Sequence, residues 1–292
     1  MKRKYSLLFF LLPPLAYFSV FVLYPIVGTV VYSFFDKNNH LTLNNYIDVI
    51  TTTNPLYMFV ARPLTLSPPW GALINNLLWF SIHVPTITFL ALIVAYVLKY
   101  YVKGGTIIKT ILFAGFVIPP CIGGLVIKFM FNDQVGIIPK FFAYLGIKSL
   151  AVNWIMYPSL ADFALILGAM WFWLGFAVTI LAAGMETIPK SHVESARVFG
   201  ASYWQIFWKV VTPQLKPAII TVIVMTALWD MKMFDIVYSS TQGGPGAATN
   251  VLALVMFTYF AKALDLGKAS AVAVIMTLIT FPIIYIVIKR SK

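Results

Sequence analysis

Two short constellations hold most of the chemistry this sequence offers. In the apolar stretch 218–240, Thr226, Asp230 and Phe234 recur every four residues with Met233 beside them, so a continuous helix would carry them on one face. A hydrogen-bonding acid among aromatic and soft apolar side chains suits a sugar, whose hydroxyls need partners and whose C–H faces stack on rings. An ionisable group inside an apolar run is costly, which marks it as functional by default. The alternative is that Asp230 and nearby Lys232 sit at the outer interface, solvated or paired with a neighbouring subunit. Trp171, Trp173, Thr179, Asn75 and Asn76 are weaker candidates, because aromatic residues at helical spacing more often pack or form interfacial belts. Asp235 and Tyr238 suit an outer gate better than a ligand contact.

The second constellation runs from Glu194-Ser195-Ala196 through Gly200 to Val210-Val211-Thr212-Pro213. It is polar, basic and set between two long apolar runs. Ser191 and Glu194 have capping-box spacing, and Ser202 and Gln205 repeat it. Gly200 can take positive φ and turn the chain between two short helices, and Thr212-Pro213 is expected to stop the second. Ser195 and Ala196 are small enough for close backbone approach by a partner. Tyr203, Trp204, Phe207 and Trp208 are bulky enough to fill a groove or to anchor at lipid headgroups.

Enzyme signatures are missing. Gly104-Gly105 precedes Lys109-Thr110, but no Gly stands immediately before that Lys, so a phosphate-binding loop is not formed. His40, His83 and His192 have no metal-ligand spacing. Cys121 is the single cysteine, which excludes an internal disulfide, and its place beside Pro119-Pro120 predicts an inert packed thiol. No cofactor is implied.

The elements that must position these residues are membrane spans. The chain is 61% hydrophobic and 10% charged, against about 25% charged in soluble domains. Six apolar stretches approach or exceed the roughly 20 residues that cross a bilayer. They are Tyr5–Phe35, Ala72–Leu98, Ile107–Phe131, Ser159–Ala183, Ala218–Ser240 and Ala269–Ile288. Pro13, Pro14 and Pro25 interrupt the first, which is tolerable in a packed bundle. Lys2–Lys4 resembles a signal-peptide start, but the following run is too long and lacks a cleavage site, so it reads as an uncleaved span. An all-α, polytopic membrane protein is the expected fold. Residues 1–71 form a first span and an external loop, and residues 72–292 the main bundle.

With the N-terminus inside, the cytoplasmic segments hold Lys2, Arg3, Lys4, Lys99, Lys103, Lys109, Lys190, Arg197, Lys209, Lys216, Lys289, Arg290 and Lys292, a majority of the 21 basic residues. That asymmetry places both termini in the cytoplasm and Asp36–Pro69 outside. The net charge of +12 therefore follows topology, and nucleic-acid binding is rejected. Val135–Phe142 and Leu252–Ala263 read as short helices, and Thr241–Gly246 as a turn.

The insertion resembles the cytoplasmic coupling loop of permease subunits of binding-protein-dependent ABC importers. That family's pattern is Glu-Ala-Ala, three residues, Gly, nine residues, then Ile-x-Leu-Pro. Glu194, Ala196, Gly200 and Pro213 fall on it, while Ser195, Val210 and Thr212 are similar-sized departures. Leu43-Asn44-Asn45-Tyr46, Asn75-Asn76, Pro85, Gly136, Leu145-Gly146, Phe234-Asp235-Ile236-Val237-Tyr238 and Thr241-Gln242-Gly243-Gly244-Pro245 resemble the carbohydrate branch and its larger maltose-type subunit. The resemblance implies a coupling loop at about 185–217 that docks on an ATPase, with Glu194 in an ion pair there. It also implies a sugar site including Thr226, Asp230 and Met233, which the four-residue spacing extends to Phe234. The implied partners are a second, homologous permease, two ATP-binding cassette subunits and an external solute-binding protein in a prokaryotic cytoplasmic membrane. Glycerol phosphate is the alternative cargo, favoured if Lys232 faces the pathway. An intramembrane enzyme would need paired acids or metal ligands, and a secondary transporter would need repeated broken helices with charges in both halves. Neither pattern is present.

Overall fold

The computed structural model describes residues 2–61 and 67–289; Arg290 and Lys292 of the charge distribution, and residues 62–66 of the expected external loop, lie outside these. The described residues are helical apart from connections and one isolated bridge between Phe35 and Leu41. Helix α1 spans residues 2–32 and carries Pro13 and Pro14 in its α-helical part. It widens into a π turn at Ser19–Leu23 just before Pro25, whose missing N–H leaves one helical acceptor unused. A short helix, α2 (Asn44–Thr51), follows. Then come α3 (Ala72–Tyr100), α4 (Gly105–Val117), α5 (Pro120–Met130), α6 (Ile137–Tyr144) and α7 (Pro158–Glu186). The insertion holds α8 (Lys190–Val198) and α9 (Tyr203–Gln214). After it lie α10 (Lys216–Met231), α11 (Asp235–Ser240), α12 (Leu252–Lys262) and α13 (Leu266–Lys289).

Among the described residues, three helices are long and apolar enough to cross a membrane alone: Phe10–Tyr32, Ala72–Tyr100 and Pro158–Glu186. Two expected spans are broken. The stretch 107–131 is not one helix, because α4 and α5 meet at 100°. Each residue before a proline is driven from the α region, and Ile118 (ψ 129°) and Pro119 (ψ 132°) are both extended. The stretch 218–240 also fails to continue: α10 ends at Met231 and α11 begins at Asp235. The last bonds of α10 tighten to three-residue turns, Lys232 N–H to the Trp229 carbonyl and Met233 N–H to that of Asp230, a carbonyl that also accepts from Asn76 Nδ2 at 2.9 Å.

Helices α3 and α7 run against one another through the centre, and α4 and α10 flank them. Small residues allow the close approach. A Cβ on Gly175 of α7 would stand 2.1 Å from the Leu112 carbonyl oxygen of α4, so only glycine fits that crossing. The segment expected as an external loop is tied down where it is described. Asn45 Nδ2 donates to the carbonyls of Ser33 and Phe35, and α2 is tied to α13 by the Lys268–Asp48 ion pair.

Candidate functional site

The insertion is built by local sequence with two exceptions, one at each end. The Ser191–Glu194 capping box is not formed: Pro189 occupies the N-cap position, α8 begins at Lys190, and Ser191 is already inside the first turn. The Glu194 side chain is therefore exposed and free of the backbone. At the other end, Gly200 takes φ +78°. Its N–H reaches the Arg197 carbonyl and the Ala201 N–H reaches that of Ala196, the paired bonds of a Schellman turn. The second box is present, with Ser202 N–H donating to Gln205 Oε1 at 2.7 Å and Gln205 N–H to Ser202 Oγ at 3.3 Å.

Thr212-Pro213 does not stop α9. A π turn over Ile206–Val211 absorbs the proline, and the chain instead bends by 74° between Gln214 and Lys216. Val193, Ile206, Phe207, Val211 and Leu215 are buried and pin the insertion to the bundle. His192 Nδ1 and Gln214 Oε1, 2.9 Å apart, brace α8 against the end of α9. Ala196 is half-buried, while Ser195 and Pro213 are exposed. At the tip, Val198 and Phe199 are 85% and 88% exposed, an apolar contact surface that sequence reasoning did not single out.

The four residues expected on one face of the fifth span are not brought together on an open face. Thr226 and Asp230 are buried, at 1% and 0% exposure. His83 Nδ1 lies 3.0 and 3.1 Å from the two Asp230 carboxylate oxygens, bridging α3 and α10. One turn earlier on α3, Trp79 Nε1 donates to Asp162 of α7 at 3.0 Å. Asn75 Nδ2 donates to the carbonyls of Ala248 and Asn250, and Asn76 Oδ1 accepts from the Leu252 N–H. Asn75, Asn76, His83 and Asp230 thus fasten helices within this chain. Met233 and Phe234 lie beyond the end of α10: Met233 is buried, and Phe234 stacks on Tyr238 at 5.1 Å.

A different constellation opens into a cavity of about 260 Å³ beneath the α4–α5 break. Trp173 of α7 and Trp229 of α10 stack with centroids 3.8 Å apart. Phe116 lies 5.5 and 5.6 Å from them, and Phe176 lies 4.8 Å from Trp229. Trp173 Nε1 is buried and has no hydrogen-bond partner among the described residues. Apolar ring faces with one unused donor are what a sugar's C–H face and hydroxyls require. Trp173 was a minor sequence candidate; Trp229 and Phe116 gave no signal, because their convergence depends on the 100° break. Trp171 is exposed on another face. Lys232 is exposed and lines a separate apolar cavity between α10 and α13. Cys121 is exposed, contrary to the expected packed thiol, because α5 turns it outward after the break.

The profile of binding-protein-dependent transport system inner membrane components matches residues 59–290. A probable ABC transporter permease of Pyrococcus horikoshii is 46% identical over the full length of both chains. The osmoprotective compounds uptake permease of Synechocystis sp. is 31% identical, covering 96% of each chain. The trehalose/maltose transport permease of Thermococcus litoralis is 28% identical over 97% of this chain and 92% of its own. Among solved structures, a bacterial ABC transporter involved in import of the acidic polysaccharide alginate aligns with a TM-score of 0.82 at 18% identity. That alignment covers 99% of this chain and 96% of the other, and it establishes likeness of fold.

Proposed function

The chain belongs to the family of binding-protein-dependent transport system inner membrane components, and from that premise we propose that it is the membrane-spanning subunit of an ATP-driven sugar importer in a prokaryotic cytoplasmic membrane. It pairs with a second permease, receives sugar from an external binding protein and is powered by two separate ATPase subunits. Both termini face the cytoplasm. The trehalose/maltose specificity of the Thermococcus relative supports a carbohydrate cargo.

The observation that carries the sugar reading is the Trp173–Trp229 stack with its unused Nε1. The sugar's C–H face lies on the rings, and the Trp173 N–H donates to a hydroxyl. Buried Asp230 holds α10, and with it Trp229, against α3 through His83. The coupling surface is the exposed tip of α8: Glu194, Ser195 and Ala196 on its body, Gly200 at its turn, and Val198 and Phe199 at its end. ATP-driven closure of the ATPase pair moves this tip, and the 74° corner passes the motion to α10. Each ATP-dependent state is then a shift in the balance of inward- and outward-facing bundles. A phosphorylated cargo is disfavoured, since no Lys or Arg lines the aromatic cavity.

Uptake of labelled sugar by the reconstituted complex tests this. Trp173→Phe keeps a ring and removes one donor, so it should raise the half-saturating concentration about fivefold, the effect of roughly 1 kcal/mol. Trp229→Ala should raise it further with ATPase assembly unchanged. Wild-type uptake by both variants would move the sugar site to other helices.

A further inference from the structure

Between the coupling helix and the bundle the chain leaves a further cavity, of about 520 Å³. The ends of α3 and α7, the start of α4 and the inner side of α8 enclose it. Its lining includes four cations, Lys99, Lys109, Lys190 and Arg197, against two acids, Glu186 and Glu194. Lys99 and Glu186 pair with each other. Lys109 and Lys190 also lie within electrostatic reach of that carboxylate, so a single acid faces three lysines. Among the described residues, Lys109, Lys190 and Arg197 form no ion pair. The cavity therefore carries an uncompensated positive charge of about two, at the level where two long apolar helices leave the membrane.

We propose that this cavity binds a phosphate group carried on a small polar headgroup, and that its occupant braces α8 against the bundle. A dianionic phosphate matches the charge excess, and the volume leaves room for an attached polyol. The position at the end of the apolar helices favours an anionic lipid of the inner leaflet, where each nearby Lys or Arg adds to attraction for the surface. The mechanical consequence follows from how α8 is held. It packs on the 206–211 turn through Val193, while on its other side the cavity separates it from α3 and α7. An anion shared by Lys190 of α8, Lys109 of α4 and Lys99 of α3 closes that gap and stiffens the lever. The choice of the inner leaflet rests on the proposed topology, and this consequence on reading α8 as the coupling helix.

The test uses the complete complex in vesicles of phosphatidylcholine, with and without phosphatidylglycerol. Bound lipid is counted by native mass spectrometry, and substrate-stimulated ATP hydrolysis is followed in parallel. Wild type should retain phosphatidylglycerol and hydrolyse faster in its presence. Lys109→Gln/Lys190→Gln should weaken retention by roughly ten- to thirtyfold and remove the stimulation, whereas Lys103→Gln, an exposed lysine outside the lining, should change neither. Stimulation by soluble glycerol phosphate in phosphatidylcholine vesicles would identify a free phosphate ester as the occupant. Equal lipid retention by wild type and the double variant, with no response to either anion, would overturn the site. Loss of the ATPase subunits from the double variant in every vesicle would overturn it too, by showing the cations to be a protein contact. Failure of sugar uptake with lipid retention intact would count against the transport reading alone.

Discussion

At the scale of single residues, the pairing of His83 with Asp230 decides what the buried acid of the fifth apolar stretch does. A carboxylate in that setting is tolerable because imidazole meets both oxygens and because the backbone carbonyl of the same residue is used by Asn76. Removing one partner leaves the other buried and unmet, at a cost of about 3–5 kcal/mol. Asp230→Ala should therefore lower the yield and thermal stability of the complex before it changes affinity for sugar. His83→Leu/Asp230→Leu should recover part of that loss. Thermal unfolding of the purified complex, read beside uptake, distinguishes the outcomes: full stability with weakened sugar affinity for Asp230→Ala would make the acid a ligand contact after all. Sequence identified Asp230 as exceptional but not its partner, 147 residues away on another helix. Spacing reports neighbours on one element only, and this contact is made by packing.

At the scale of elements, features closed within a few residues were legible and features closed by distant groups were not. The Gly200 turn and the Ser202–Gln205 box depend on bonds reaching at most five residues, and both form. The Ser191–Glu194 box had the same spacing but lost to Pro189 at the N-cap. The break at Pro119-Pro120 was written in the sequence, yet the surrounding hydropathy outweighed it in the reading of one span. The end of α10 at Met231 had no proline or glycine to announce it. Two glycines give contrasting predictions. Gly200→Ala meets nothing within 4 Å and costs only the left-handed conformation, about 1–2 kcal/mol. It should weaken substrate-stimulated hydrolysis with the bundle intact. Gly175→Val drives a side chain into the Leu112 backbone and should prevent the complex from assembling. Size-exclusion profiles and hydrolysis rates together separate the two, and an assembled, active Gly175→Val complex would contradict the packing of α4 on α7.

At the scale of the whole molecule, the apolar composition announced a membrane bundle, and the basic residues predict its orientation. Three features emerged only with the fold: an aromatic cavity at the α4–α5 break, a polar clamp behind it, and a 74° corner where the insertion meets α10. Orientation can be checked with a membrane-impermeant thiol reagent after Cys121→Ser, which is needed because that thiol is exposed. Asn44→Cys should label from outside intact cells and Ser191→Cys should not; labelling of Ser191→Cys would invert the topology and remove α8 from the ATPase side. The most direct measurement of the central claim is accumulation of labelled sugar in vesicles carrying this chain, its partner permease, the ATPase subunits and the binding protein. The account predicts accumulation against a gradient that needs ATP, needs this chain and falls when Trp229→Ala replaces it. Accumulation that continues without this chain, or without ATP, would contradict it.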